Sequence, residues 1–239
     1  MKKQGSTSEA DLKGRLVEAS RILAMEGQGD LVWGHVSVRV PGQETFWIKA
    51  TGVGLDEVRV EDLLLCDLDG RVVRGKKPRH IEVYIHSEVM RARPDVGSVV
   101  HTHAMAPTVF AAAGIPLQPV THEAAVFVPP DIPRFDETTD LINSPERGRA
   151  MAKALGSSDA LLLVSHGIVT SGATIERAAI NALLLDRAAR AQLLMGSLPV
   201  RHVGNEADGL AKRELLLSDA HQALRWGYLQ RDLARRRKE

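Results

Sequence analysis

The chain has 239 residues, 44% of them hydrophobic, enough for one sizeable α/β domain around a buried core. Lys plus Arg (31) and Asp plus Glu (30) nearly cancel, so no overall field favours nucleic acid or an anionic membrane. A single cysteine excludes an intramolecular disulfide, no apolar run approaches the ~20 residues that span a bilayer, and the opening MKKQGSTSEA lacks the apolar stretch of a secretory signal, so a reducing cytoplasm is expected.

Residues 9–26, EADLKGRLVEASRILAME, place Leu12, Leu16, Ala19, Ile22 and Leu23 on one stripe, the pattern of an amphipathic helix. LVWGHVSVRV and ETFWIKATG then alternate apolar and polar around the turn PGQE, which predicts a hairpin, and DLLLCDLDGRVVRG repeats the pattern around LDG. Cys66, within that second hairpin, reads as a core residue far in sequence from any base. Helical spacing returns over 80–93 through Ile81, Tyr84, Ile85 and Val89 and stops before Pro94. The β-branched DVGSVVHTH is a strand, and APTVFAAAG a short helix closed by Gly114. LQPVTHEAAVFVPP reads as extended up to its prolines. Ser144 and Pro145 open a helix over 144–155 as N-cap and first helical residue. DALLLVSHGIVTSG gives a buried strand and turn, and TIERAAINALLLDRAARAQLLM a long apolar-striped helix. The last segment, through about 210–235, is helical too. Its end, RDLARRRKE, is a solvated tail, because no stacking aromatics or second basic stripe accompany it. No repeat or linker interrupts the chain, so residues 1–239 are expected to form a single α/β domain: a mixed, largely antiparallel sheet covered on both faces by helices.

The chemistry gathers at histidines. Side chains at i and i+2 of a strand leave the same face, so His101 and His103 in VVHTH can converge on one ion. Such a pair also occurs as ordinary hydrogen-bonded histidines, and a catalytic metal usually takes three protein ligands. His166 ends another apolar stretch, LLLVSHG, with Gly167 next where the chain must turn tightly. A carboxylate is available in Glu82, expected in the first turn of the 80–93 helix. There it meets the macrodipole in any case, and His86, four residues on, can hold it.

GHVSVRV, KATG, Glu82, the run IHSEVMRARPDVGSVVHTH that brings His101 nineteen residues after it, and LLLVSHGIVTSG together resemble the class II aldolase/adducin superfamily, over roughly residues 10–195. The resemblance implies a three-layer α/β/α domain, with a central, mostly antiparallel sheet. It further implies a homotetramer with active sites at subunit interfaces, where the C-terminal helix would pack. By position, His101, His103 and His166 match the metal ligands, and Glu82 the acid/base carboxylate that can also touch the metal. Zinc suits this set best, with manganese, iron or cobalt as alternatives.

Departures bear on the substrate. Sugar-phosphate members typically carry Gly-Asn in the first hairpin and Ser-Ser before the glutamate, where this chain has Gly34-His35 and His80-Ile81. Thr51 and Gly52 match the anion-binding loop, and His35, Arg79 and His80 are further candidate contacts to an anionic small molecule. IHSEVMRARPDV, PVTHEAAVFVPPD and LRWGYLQR are more similar to members that decarboxylate hydroxylated aromatic or heteroaromatic acids. In those, His122 would be a proton donor or substrate ligand, and Tyr228 would reach the site from the C-terminal helix; otherwise His122 bonds to backbone and Tyr228 packs beside Trp226. The expectation is thus a divalent-metal-dependent carbon–carbon lyase, aldolase or decarboxylase, acting on a small non-phosphorylated hydroxy or oxo acid. The alternatives are a sugar-phosphate aldolase, epimerase or dehydratase, an iron-dependent oxygenase, and a non-catalytic adducin-like binding module.

Overall fold

The computed structural model describes residues 8–196, 198–199 and 205–237. Eight strands, β1 (His35–Arg39), β2 (Thr45–Lys49), β3 (Leu63–Asp67), β4 (Val72–Arg74), β5 (Ser98–Thr102), β6 (Arg134–Phe135), β7 (Ala160–Leu163) and β8 (Gly167–Gly172), make one sheet in the order β4-β3-β2-β1-β5-β8-β7-β6. Its neighbours are antiparallel except for the parallel pair β6 and β7, as expected of a mixed, largely antiparallel sheet.

Alternation along the strands sorts the side chains into two cores. On one face Val36, Val38, Trp47, Val100 and Ile168 pack under α1 (Glu9–Leu23), α3 (Met105–Ala113), α5 (Ile175–Met195) and α7 (Asp219–Arg236). On the other, Phe46, Ile48, Leu64, Val99 and Val169 pack under α2 (Val83–Ala92) and α4 (Pro145–Leu155). The result is a three-layer α/β/α arrangement. Cys66 lies in the second core, where burial pushes its thiol up to about 12 and leaves it unreactive. No helix among the described residues is long and apolar enough to cross a membrane.

Local signals account for most boundaries. Ser8 caps α1 by accepting from the Asp11 N–H at 3.1 Å, Ser144 caps α4 with Pro145 behind it, and Gly114 closes α3 at φ 67°. Four stretches differ from expectation. The first helix gives way after Leu23 to a π-helical turn, Ala24–Gln28. LQPVTHEAAVFVPP is not extended throughout but contains a 3-10 turn, Ala124–Val126, and is followed by the short strand β6. DALLLVSHGIVTSG forms the hairpin β7–β8 rather than one strand. The last helical segment breaks into α6 (Glu206–Leu217) and α7 at Ser218, whose hydroxyl accepts from the His221 N–H and starts a new helix. The basic tail of α7 is partly self-paired, Arg235 and Arg236 both reaching Asp232.

The layer of α2 and α4 bears directly on the site, because the residue preceding α2 is Glu82. The two helices close tightly at Gly148, where a Cβ would lie 2.8 Å from the Tyr84 carbonyl oxygen. Gly148→Ala must therefore push α4 off α2. It is expected to cost about 1–3 kcal/mol in a urea titration, the usual range for an overpacked core.

Candidate metal centre

His35, Ser37 and His101 all point to the α2 side of the sheet, opposite Val36, Val38 and Val100, and the β1–β5 register sets His35 directly across from His101. His103 lies one residue past the end of β5, and His166 in the turn between β7 and β8. The positive φ of that turn falls on Ser165 (57°), not on Gly167 as its place after His166 suggested. Gly167 is required for a different reason: a Cβ there would sit 2.4 Å from the Thr102 carbonyl oxygen and 3.0 Å from His103 Cδ2. Its bare backbone lets the His166 turn close onto the end of β5.

The hydrogen bonds fix the tautomers. His101 Nδ1–H donates to the Ile168 carbonyl at 2.9 Å, and His103 Nδ1–H donates to Asp30 Oδ2 at 2.9 Å. Both Nε2 atoms are then lone pairs, yet they face each other at 3.1 Å. His166 Nε2 is buried without a hydrogen-bond partner among the described residues, with Glu82 Oε1 3.5 Å away, while Glu82 Oε2 is 3.8 Å from His101 Nε2. One ligand atom from each of the four residues lies within 4.8 Å of the others. Converging lone pairs and a carboxylate repel one another unless a cation sits among them, so this donor set fits a divalent ion. The bonds from Ile168 and Asp30 are the outer supports that metal-binding imidazoles usually have. Burial raises the Glu82 carboxyl, while the Ile142 N–H, donating to Oε1 at 2.9 Å, opposes that shift, and the site favours the carboxylate where positive charge stands among His101 and His166.

Glu82 is the capping residue before α2 rather than part of its first turn, and His86 does not hold it. His86 Nε2 instead meets His35 Nδ1 at 2.6 Å, and His86 Nδ1 meets Ser37 Oγ at 2.6 Å. The His35 ring lies 4.4 Å from that of His80, 4.8 Å from His86 and 5.0 Å from His101. Burial, reinforced by neighbouring imidazoles and by Lys49 near His35 and His80, keeps this group neutral: His80 and His86 fall to about 3, and His35 and His101 fall well below the ordinary imidazole value.

Lys49, within the KATG motif, has a role that sequence reading missed. Its ammonium is fully buried, donates to the Val53 carbonyl at 2.6 Å and the Val32 carbonyl at 3.0 Å, and lies 3.0 Å from His80 Nε2. Burial lowers it to about 8. A lysine closing an apolar strand was the one available signal.

These residues border a cavity of about 530 Å³. His35, Thr51, Arg79, His80, Glu82 and His103 line it, together with Asp30, Gly34 and an apolar rim of Trp33, Ile81 and Leu141. Gly52 lines a neighbouring hollow with Lys77 instead. Neither His122 nor Tyr228 lines the cavity within one chain. His122 is exposed before the 3-10 turn, and Tyr228 is half-exposed on α7 under the Arg235 guanidinium, while Trp226 packs into the core. A hollow of about 770 Å³ between α1 and the end of α7 contains none of the histidines.

The family model described as "Class II Aldolase and Adducin N-terminal domain" matches residues 14–193. The chain is 35% identical to Decarboxylase NovR of Streptomyces niveus, over 77% of this chain and 70% of the other. It is 30% identical to 3,4-dihydroxyphthalate decarboxylase of Arthrobacter keyseri, over 75% and 76% respectively. The fold superposes on L-fuculose 1-phosphate aldolase from Glaciozyma antarctica PI12 with a TM-score of 0.81 at 28% identity, covering 93% of this chain and 88% of that one.

Two outcomes are expected from this geometry. Asp30→Asn should weaken zinc binding by about 10–100-fold, measured by competition with a chromophoric chelator, because His103 loses its orienting carboxylate. The metal-free protein should lose stability as pH falls below about 6.5. There the unfolded chain takes up protons that His80 and His86 refuse when folded, at up to about 1.4 kcal/mol per pH unit for each; urea titrations from pH 7 to 4 read the slope.

Proposed function

The chain belongs to the class II aldolase and adducin family, and on that premise we propose that it is a divalent-metal-dependent carbon–carbon lyase acting on a small, non-phosphorylated hydroxy or oxo acid. Among such reactions we favour decarboxylation of a hydroxylated aromatic or heteroaromatic carboxylate. The observation that carries this reading is the pairing of the His101, His103, His166 and Glu82 cluster with a cavity whose mouth is apolar. Trp33, Ile81 and Leu141 offer a flat ring its hydrophobic contact, and Arg79 gives the cavity lining a cation for a carboxylate. Where sugar-phosphate members place Ser-Ser, this cavity has a buried imidazole already bonded to Lys49 and the side chain of Ile81, a poor seat for a phosphate. The names of two relatives, both decarboxylases, support the same choice.

His101, His103 and His166 would hold the ion, with Glu82 close enough to share it. When bound, a divalent ion supplies Lewis acidity that polarises adjacent oxygens of a substrate. Zinc suits three imidazoles, with manganese, iron and cobalt as alternatives. Glu82 takes the proton of the substrate hydroxyl. Glu82 then delivers that proton to the ring carbon bearing the carboxylate, giving the keto tautomer. The bond from that carbon to the carboxylate breaks, carbon dioxide leaves, and the electron pair flows through the π system onto the phenolic oxygen, which solvent reprotonates. The Ile142 N–H keeps the carboxylate aimed at the cluster through this exchange.

The same reading includes a single domain assembled as a homotetramer, with α7 at an interface. Tyr228 is half-exposed on that helix, and it and His122 would meet the cavity of another copy. An adducin-like module without catalysis is less well supported, because all three histidines and Glu82 converge.

Glu82→Gln is expected to keep about one ion per chain by inductively coupled plasma mass spectrometry while carbon dioxide release from 3,4-dihydroxybenzoate or related acids falls at least 10²-fold. His101→Ala and His166→Ala should lose the ion as well. Equal metal loss in all three variants would make Glu82 chiefly a ligand, and turnover of aldol substrates alone would replace decarboxylation by aldol cleavage.

A further inference from the structure

Three imidazoles stand behind the cluster, and their hydrogen bonds are not equivalent. His80 has its Nε2 occupied by the Lys49 ammonium, which has only donors, so that nitrogen accepts. His86 has both nitrogens engaged, one by Ser37 and one by His35. His35 uses only Nδ1, and it lines the cavity 5.0 Å, ring to ring, from His101.

The direction of this chain follows from satisfying each group. Ser37 is completely buried, and its hydroxyl has one hydrogen-bond partner among the described residues, His86 Nδ1. If that nitrogen carried a proton, the serine hydrogen would be enclosed without an acceptor, which native interiors avoid. Ser37 O–H therefore donates to His86 Nδ1. With that nitrogen a lone pair, His86 must carry its proton on Nε2 and donate to His35 Nδ1, so His35 has no proton there and carries its one ring proton on Nε2.

We propose that Ser37 and His86 are positioning residues that lock His35 as a neutral Nε2–H donor aimed into the cavity, where it bonds an oxygen of a carboxylate or hydroxyl on the substrate. The substrate half of this inference rests on the lyase reading of the site, whereas the tautomer half does not. The arrangement gives His35 a role that an imidazolium or the opposite tautomer would not serve. It donates one hydrogen bond beside the cluster without adding charge, and its orientation is fixed before any ligand arrives. It also accounts for the two buried polar residues, His35 and Ser37, that β1 turns toward α2.

The test uses the full-length zinc-loaded protein labelled with ¹⁵N-histidine. Long-range ¹H–¹⁵N correlation spectra should show His35 protonated at Nε2 and bare at Nδ1, with His86 the same; Ser37→Ala should release the lock and shift both. A His35 protonated at Nδ1, or an imidazolium at neutral pH, overturns the proposal whatever the variants do, so the wild-type spectrum decides the tautomer even where a variant fails to fold. The second arm measures binding of 3,4-dihydroxybenzoate by calorimetry. His35→Phe should weaken it at least tenfold and His35→Gln, which keeps an N–H donor, should recover most of that, with Ser37→Ala in between. Equal affinity for wild type and His35→Phe overturns the substrate contact. If the wild-type protein fails to bind the probe at all, the aromatic-acid reading of the site fails, while the spectra still decide the tautomer.

Discussion

The antiparallel register between β1 and β5 is the constraint on which this molecule depends. It sets His35 opposite His101 at the centre of the sheet and turns both toward α2. Strand side chains alternate, so a slip of one residue would send His101 into the α1–α5 core and Val100 into the site. The next strand, β8, repeats the same logic by presenting the Ile168 carbonyl to His101 and the bare backbone of Gly167 to the end of β5. Of the cluster, His101 sits within a strand and Glu82, His103 and His166 just beyond the ends of elements, and the loops add what surrounds it: Asp30 and Trp33 from one, Thr51 from another, Leu141 from a third.

Charge is distributed with equal economy. The imidazoles around the cluster are neutral because burial makes their charged forms costly, and the anionic groups lining the cavity are Glu82 and Asp30, each tied to a histidine of the cluster. Lys49 is the unusual element, a buried ammonium whose partners are backbone carbonyls and an imidazole rather than a carboxylate. Its three donors join the Val32, Val53 and His80 segments, which between them carry much of the cavity wall. The cost of burying that charge is offset by hydrogen bonds that no neutral side chain of similar length would make.

Much of this was legible in the chain, for reasons that differ by element. The helices with strong apolar stripes and side-chain caps, such as that opened by Ser144 and Pro145, were readable because local signals and packing agree there. His101 and His103 were readable as a converging pair from strand alternation, and His166 and Glu82 joined them through the resemblance to the class II aldolase/adducin superfamily. The partner of His86 was not. Helical periodicity pairs it with Glu82, but the sheet offers it His35 and Ser37, and only the packing of α2 on β1 decides between them. Lys49 escaped notice because nothing local distinguishes a lysine at a strand end facing solvent from one turned inward. The break at Ser218 was missed because a serine hydroxyl suits a helix interior nearly as well as its interruption, and the 3-10 turn at Ala124–Val126 because so short a turn has no periodicity to set it apart from the extended chain around it.

The sheet order also has a temporal meaning. Strands β1 to β4 form a meander of neighbours in sequence, and β5, β8, β7 and β6 form a second block, so the two halves meet only along β1 and β5. The hairpins close short loops, whereas two pairings join segments far apart in the chain: the seam itself, where His35 meets His101, and β5 with β8, where His101 meets Val169. His35, Ser37 and Lys49 belong to the first block; His101, His103 and His166 belong to the second. The three imidazoles that would hold the ion thus come from the second block, and the first supplies the polar groups behind them. The binding centre therefore comes into being with pairings between segments distant in the chain, which close later than the local hairpins, and an ion captured there stabilises them.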